Sequence, residues 1–398
     1  MYVTLKELHR VFPASHLSIA ANDPHSWSKF SQIDIISSLC TFVADCRLGI
    51  WRNHLFRMVS MPILLSLVGL FYRLIGVKCF FGNAELRRLL GAYYNADLVL
   101  SCGGGNFFAH KPFSPALIWA LITLGFAQLL GKKTIMLQQS IGPIKGTLQK
   151  YFVRLVLNRV HTIMVREPQS EDFVSSVLRL HKTPILFPDL AFWLPNSPNV
   201  FPNRLPKQSS PPRIGVTVIN RGVQDLNFKD QDLYEETLAK ALINLSKKYN
   251  AQINIFTQCY GPSRDQDDRY AALKLYRRLI RELDDVTCLN NFKNALELYK
   301  SYGSMDLIVG SRMHTGIFAF INAIPVVLIG YQPKSVGMMK LFDLEGYCIP
   351  IESASNEQLL VDLVCDAFEH RAELSRKIAE RYQEILKSID SWTRYLEL

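Results

Sequence analysis

VGSRMHTGIFAFINAIPVVLIGY, residues 309–331, reads as the end of one β-strand, a short apolar helix and a second strand. Arg312 and His314 fall at the first strand's end, immediately before the helix. A cation and a titratable imidazole in that position suggest a site for a phosphorylated or carboxylated substrate.

The same alternation extends outward in both directions. Strand patterns recur at 214–219, 253–257, 286–289, 307–309 and 326–329, with helical segments such as 233–249 and 269–283 between them. On the N-terminal side, strand patterns at 17–20, 97–100, 133–137, 162–165 and 185–187 alternate with helices in the same way. Alternation at these lengths implies parallel sheets covered by helices on both faces. Residues 195–212, PNSPNVFPNRLPKQSSPP, hold six prolines and no sustained apolar period, so they read as a linker. The expected architecture is α/β: a Rossmann-like domain over 1–194, the linker, a second Rossmann-like domain over 213–355 facing the first across a cleft, and helices over 356–398 that pack back on the first domain.

Composition bounds the function without choosing it. The 398 residues suffice for two cores, and 48% hydrophobic with 20% charged residues describes a globular chain. The formal charge of +10 favours anionic partners. Nucleic acid fits poorly, because the basic residues are dispersed and no reading module is present. Eight cysteines, with no CxxC pair and no zinc-type spacing, read as reduced thiols of a cytoplasmic protein. Residues 1–10 are polar and amphipathic, unlike a signal peptide.

Two apolar runs, 58–72 and 116–130, reach 15 residues each, short of the roughly 20 that cross a bilayer. Around the first, seven basic residues between 47 and 90 face a single acidic one, Glu85. That run reads either as a core helix with solvated ends or as a surface that docks peripherally on anionic lipid.

Polar residues collect where strands end. The strand at 97–100 runs into Gly103, Gly104, Gly105 and Asn106, either a close backbone approach to a ligand, forming an anion-binding nest, or a tight turn. There is no GxGxxG and no acidic ribose-binding residue behind it, so a nicotinamide cofactor is not supported. Gln139 ends the strand at 133–137, and Arg166 ends the one at 162–165, as a ligand contact or as half of an ion pair with Glu167 or Asp189. Asp265, Asp267 and Asp268 form an acidic loop, read as a metal site or as solvated surface.

In the second half, Arg221 follows the strand at 214–219, while Ser311, Arg312 and His314 follow the one at 307–309. Guanidinium groups grip carboxylate and phosphate through paired hydrogen bonds, so two arginines from adjacent strand ends suit a small, doubly charged anion. A histidine beside that anion has its protonated form favoured and suits general-acid work.

At these residues the chain resembles the polysaccharide pyruvyl transferase family, whose fold is similar to the two-domain GT-B glycosyltransferases. The resemblance runs through DLVLSCGGGNF from Asp97, QQSIGP at 138–143, MVREPQS at 164–170, PDLAF at 188–192 and SRMHTGIFAFINAIPVVLIGYQPKSVGMM at 311–339. It implies transfer of pyruvate from phosphoenolpyruvate onto two hydroxyls of a sugar, in a polysaccharide or a polyprenyl-linked precursor, giving a ketal and phosphate. Arg221 and Arg312 would hold the donor, His314 would protonate its methylene, and Lys334, in the YxxK match, would offset charge on the departing phosphate unless it is a surface lysine. Phosphoenolpyruvate is the co-substrate, and the scheme needs no cofactor, metal or nucleotide. One departure from the family stands out: its members open with a strand and a GNxGD-type loop, whereas Met1 enters at the helix TLKELHRVF, so the first strand of the N-terminal sheet is expected to be missing. The competing readings are a glycosyltransferase using a nucleotide sugar and an inactive membrane-associated partner in exopolysaccharide synthesis.

Overall fold

A computed structural model of the chain describes residues 2–27, 33–41, 54–109, 111–195, 211–224, 228–261, 267–388 and 392–396. Most of the expected linker, together with Arg47, Arg52 and Asp265, lies outside these residues. The chain forms two compact units, Met1–Asp189 with Ser391–Leu398, and Leu190–Asp390.

In the first unit, helix α1 (Tyr2–Val11) precedes strands β1 (Ser18–Ala21) and β2 (Asp34–Ser37), which pair in parallel as a sheet of two. Helices α2 (His54–Ile75) and α3 (Ala84–Asn95) follow, then strands β3 (Leu98–Ser101) and β4 (Gly104–Ala109), helix α4 (Pro115–Leu129) and the long strand β5 (Lys133–Ile144). Helix α5 (Thr147–Leu157), strand β6 (Thr162–Val165), the short helix α6 (Pro168–Asp172) and strand β7 (Ile185–Leu186) complete it. The main sheet runs β3-β5-β6-β7, with β4 also paired to β5, and every pairing is parallel.

The glycine run departs from the nest reading. Gly104 and Gly105 open strand β4, Gly104 pairing with Gln139, and none of Gly103, Gly104 and Gly105 has a positive φ. A nest needs alternating left- and right-handed residues, which an extended ladder cannot supply. The small residues instead let the ladder run close to β5: a Cβ on Gly103 would lie 3.0 Å from the Gln138 carbonyl oxygen.

The second unit is built on strands β8 (Arg213–Val216), β9 (Gln252–Phe256), β10 (Val286–Leu289), β11 (Leu307–Gly310), β12 (Val326–Gly330) and β13 (Cys348–Pro350). Between them lie helices α7 (Arg221–Gln224), α8 (Gln231–Tyr249), α9 (Arg269–Leu279), α10 (Ala295–Tyr302), α11 (Met313–Ile321) and α12 (Pro333–Lys340). The six strands are parallel in the order β10-β9-β8-β11-β12-β13. Strands β11 and β12 are buried along their whole length, which is why LIVG and VVLIG read as continuous apolar runs rather than alternating ones. Ile317 and Phe320 of α11 are fully buried beside them, each worth about 1.5–3 kcal/mol of transfer free energy.

Helices α13 (Glu357–Glu369) and α14 (Arg371–Lys387) close this unit. Phe368 meets Tyr249 of α8 at 4.5 Å between ring centroids, and Ser375 Oγ donates to the Ala323 carbonyl just beyond α11. Both helices therefore pack within the second unit, and Ser391–Leu398 belongs to the first.

The order of the second sheet fixes where a ligand goes. The chain winds outward from β8 through β9 to β10, then returns beside β8 at β11 and winds the other way through β12 to β13. Loops leaving β8 and β11 therefore diverge, and the gap beyond their carboxyl ends is the topological switch point where open α/β sheets bind ligands.

Candidate active site

Arg221 follows β8 and Arg312 follows β11, so the two arginines flank the switch point. Arg221 opens the one-turn helix α7. Its placement is set from below by Gln231, whose side chain accepts from Gly222 N–H at 3.0 Å and donates to the Ile219 carbonyl at 3.1 Å and to Glu235 at 2.7 Å. The Arg221 guanidinium lies over the Tyr331 ring, 5.4 Å from its centroid, a cation–π contact that orients the cation while leaving it charged. Burial pushes the Tyr331 phenol up in pKa, opposed by Arg312 and Arg221. Tyr331 therefore stays neutral between two arginines.

Arg312 is held differently. Its Nε and Nη2 donate to Asp268 at 2.7 and 2.6 Å, and the same carboxylate accepts from Cys259 N–H at 3.1 Å. Asp268 has 3% of its side chain exposed and Arg312 16%, so this is a desolvated, bidentate pair. Burial weighs against the charge on Arg312, and the Asp268 hydrogen bonds outweigh it and hold the guanidinium charged. The pair uses Nε and Nη2, so Nη1 is the amine that remains for a ligand.

The acidic loop is thus neither a metal cluster nor a solvated patch at the two described positions. Asp268 anchors Arg312, and Asp267 accepts from the Arg269 side chain at 2.6 to 3.0 Å and from its N–H at 3.0 Å. No cluster of metal-ligating side chains is present among the described residues.

Behind Arg312 the turn is tightly made. Ser311 is fully buried, its hydroxyl 2.5 Å from the Tyr234 hydroxyl, and its N–H donates to Thr217 Oγ1 at 3.3 Å. Thr217 in turn meets Thr315 Oγ1 at 2.9 Å. Gly310 makes this approach possible: a Cβ there would sit 2.4 Å from Thr315 Cγ2 and 2.7 Å from Thr217 Oγ1. Ser311 therefore ties the end of β11 to Thr217, just past β8, through its N–H and to α8 through its hydroxyl, and presents no hydroxyl to a substrate.

His314 is exposed in the first turn of α11, its ring 6.4 Å from that of Phe318. Lys334, partly buried in the first turn of α12, joins Arg312 in opposing the rise that burial imposes on the Cys259 thiol. Arg221, Arg312, Tyr331 and Lys334 accordingly share one electrostatic neighbourhood beyond β8, β11 and β12.

The candidates of the first unit form a separate group. Gln139 is fully buried and donates to the Cys102 carbonyl and, at 3.4 Å, to Ser101 Oγ. Asn106 is exposed on β4. Arg166, 5% exposed, resolves as an ion-paired residue: it donates to Asp189 at 2.6 Å and to Ser140 Oγ at 2.8 Å, with Glu167 at 3.5 Å. Burial pushes the Glu167 carboxyl up, against the pull of Arg166 and Ser170.

Sequence reasoning missed Asp268 as the partner of Arg312, and passed over Tyr331 and Gln231. Tyr331 stood inside the recognised YxxK segment, so a signal existed for it. For Gln231, none did.

The family model described as polysaccharide pyruvyl transferase matches residues 1–333. The amylovoran biosynthesis protein AmsJ of Erwinia amylovora is 25% identical over 301 residues, 72% of this chain and 69% of that protein. Among solved structures, the chain is similar to the S. aureus MnaA–UDP co-structure, with a TM-score of 0.54 and 10% identity over 99% of this chain and 94% of that one. It is also similar to the UDP-GlcNAc 2-epimerase from Neisseria meningitidis bound to UDP-GlcNAc, with a TM-score of 0.54 and 8% identity over 98% and 96%. At such identity these likenesses establish the fold alone, a GT-B-like α/β fold.

Proposed function

Because the chain belongs to the polysaccharide pyruvyl transferase family, we propose that its second unit binds phosphoenolpyruvate and passes pyruvate to two hydroxyls of a sugar, in a polysaccharide or its polyprenyl-linked precursor. The observation that carries this reading is the set of cations around the switch point of the second sheet, with an exposed histidine in the first turn of the adjoining helix. Phosphoenolpyruvate carries a carboxylate and a phosphate on one carbon. In this reading Arg221, Lys334 and the Nη1 edge of Arg312 are the cationic groups that would face them.

In the proposed reaction His314 delivers a proton to the C3 methylene, which becomes a methyl group as C2 turns electrophilic. One sugar hydroxyl attacks C2; the bond from C2 to the phosphate oxygen breaks; the second hydroxyl closes the ketal on C2. Of the two hydroxyl protons, one restores His314 and the other leaves on phosphate, so atoms and charge balance. Neither metal nor nucleotide enters the scheme, and the reading assigns the enzyme to the cytoplasmic side, where the donor is drawn from metabolism.

The test is phosphate release from phosphoenolpyruvate with and without a dihydroxy sugar acceptor. Release should require the acceptor, and His314→Ala should lower it by roughly 10²–10⁴-fold, the usual contribution of general acid–base catalysis. Undiminished release by His314→Ala removes the assigned proton donor. Thermal protection by a nucleotide sugar, with none by phosphoenolpyruvate, would favour the glycosyltransferase reading instead.

A further inference from the structure

The first unit exposes an apolar surface that the proposed chemistry does not use. Along α2, Ile63, Leu67, Leu70, Phe71 and Leu74 are 47–72% exposed and recur at helical spacing. They form one stripe about 17 Å long at 1.5 Å per residue. The opposite side of α2, with Met61, Leu65 and Val68, is buried against α3 and α4. A shallow depression lined by Pro62, Ile63, Ser66, Leu67 and Leu70 opens on the exposed stripe. The one hydroxyl there is already satisfied, since Ser66 Oγ donates to the Pro62 carbonyl at 2.8 Å.

Helix α5 repeats the pattern. Gln149, Val153 and Leu157 face inward, yet Leu148, Tyr151, Phe152 and Leu155 are 40–68% exposed. A surface helix normally turns a polar face to water; the outward face of this one is mostly apolar, with Arg154 exposed among the apolar side chains. Helix α4 lies between the two. A Cβ on Gly69 of α2 would be 2.9 Å from Leu129 Cβ of α4, and one on Gly125 of α4 would be 4.0 Å from Val156 of α5.

Charge selects the occupant. Helices α2, α4 and α5 contain no acidic residue, and no Asp or Glu occurs between Asp97 and Glu167. Exposed Arg73, Lys78, Lys145 and Arg154 stand on or beside the same helices. Protein interfaces are depleted in lysine at their cores. An apolar face rimmed by cations and free of carboxylates instead matches hydrocarbon beneath anionic headgroups. Among the described residues no helix is long and apolar enough to cross a membrane, so the contact is peripheral. We infer that the exposed faces of α2 and α5 together form a docking surface for an anionic lipid bilayer.

This inference is independent of the proposed reaction, and its test involves no catalysis. The full chain is sedimented with vesicles of phosphatidylcholine alone and of phosphatidylcholine containing phosphatidylglycerol. Sedimentation should require the anionic lipid and weaken in high salt. Leu67→Glu with Leu74→Glu on α2, and Leu148→Glu with Phe152→Glu on α5, should each weaken it by roughly tenfold or more. All four positions are exposed, and an unchanged thermal melt would certify the fold. The proposal is overturned if the wild-type chain ignores anionic vesicles, or binds neutral ones equally well. It is overturned also if either pair of variants sediments like wild type, or if light scattering without lipid shows a dimer that the α2 pair abolishes, which would make a second copy the occupant.

Discussion

Asp268 takes two of the donors of Arg312, so the pair adds no net charge to the site. Arg312→Ala would leave Asp268 buried and unpaired, and should cost about 3–5 kcal/mol in urea unfolding. In the double variant Arg312→Ala/Asp268→Asn, part of that loss should return; strictly additive losses would show that the pair is not coupled. The residue before Asp268 behaves differently with pH. Hydrogen bonds from Arg269 lower the Asp267 pKa from 3.8, so its contribution to stability is present above pH 3.8 and is lost as the pH falls through the lower folded value. Urea midpoints measured on acidification should therefore drop more steeply for wild type than for Asp267→Asn. The positions of Arg221, Arg312 and His314 were legible in the sequence, because a polar residue just past an apolar strand lands at the ligand-binding edge. Asp268 was not, because 44 residues separate it from Arg312 and only the adjacency of β8 and β11, with β9 beyond, closes that distance.

At the scale of elements, helix α7 is a single turn and cannot hold Arg221 on its own. Gln231, at the start of α8, bonds both the chain entering that turn and the N–H of Gly222. Gln231→Ala should remove about 1–3 kcal/mol of stability through the polar groups it strands. If Arg221 binds the donor as proposed, the same variant should raise the KM for phosphoenolpyruvate more than it lowers kcat, since it loosens Arg221 and spares the proposed proton donor His314. Equal effects on both constants would instead make Arg221 a transition-state contact. The strands read from apolar runs at 97–100, 133–137, 162–165, 307–309 and 326–329 coincide with β3, the first part of β5, β6, β11 and β12. Those without such runs, β2, β4 and β13, were not legible. β4 is the clearest case: GGNFFA carries turn residues and still forms a ladder, because β5 extends past Met136 and offers an unpaired edge.

For the whole molecule, the two units divide the polar candidates between them. In the first, Arg166 is held by Asp189 and Ser140, and Gln139 is buried with its amide donating to Cys102; in the second, Arg221 and Arg312 flank the switch point. Phosphoenolpyruvate at a hundred times its Kd should stabilise the chain by about 2.7 kcal/mol. Hydrogen exchange should show slowed amides at 217–222, 257–261, 310–315 and 330–335. Protection confined to the ends of β3, β5 and β6 would move the donor to the first unit and defeat the assignment.

Apolar periodicity and strand-end polarity, both local properties, determined by themselves that this chain is a two-part α/β protein with its cations gathered after the strands of its second half. The segment at 309–331 carried that much because β11, α11 and β12 are consecutive and need no distant partner to be recognised. That Asp268 pairs with Arg312, that Ser311 faces Tyr234, and that α2 and α5 leave apolar faces uncovered were decided only by tertiary structure. Each depends on what a distant segment brings alongside, and neither composition nor spacing encodes that pairing.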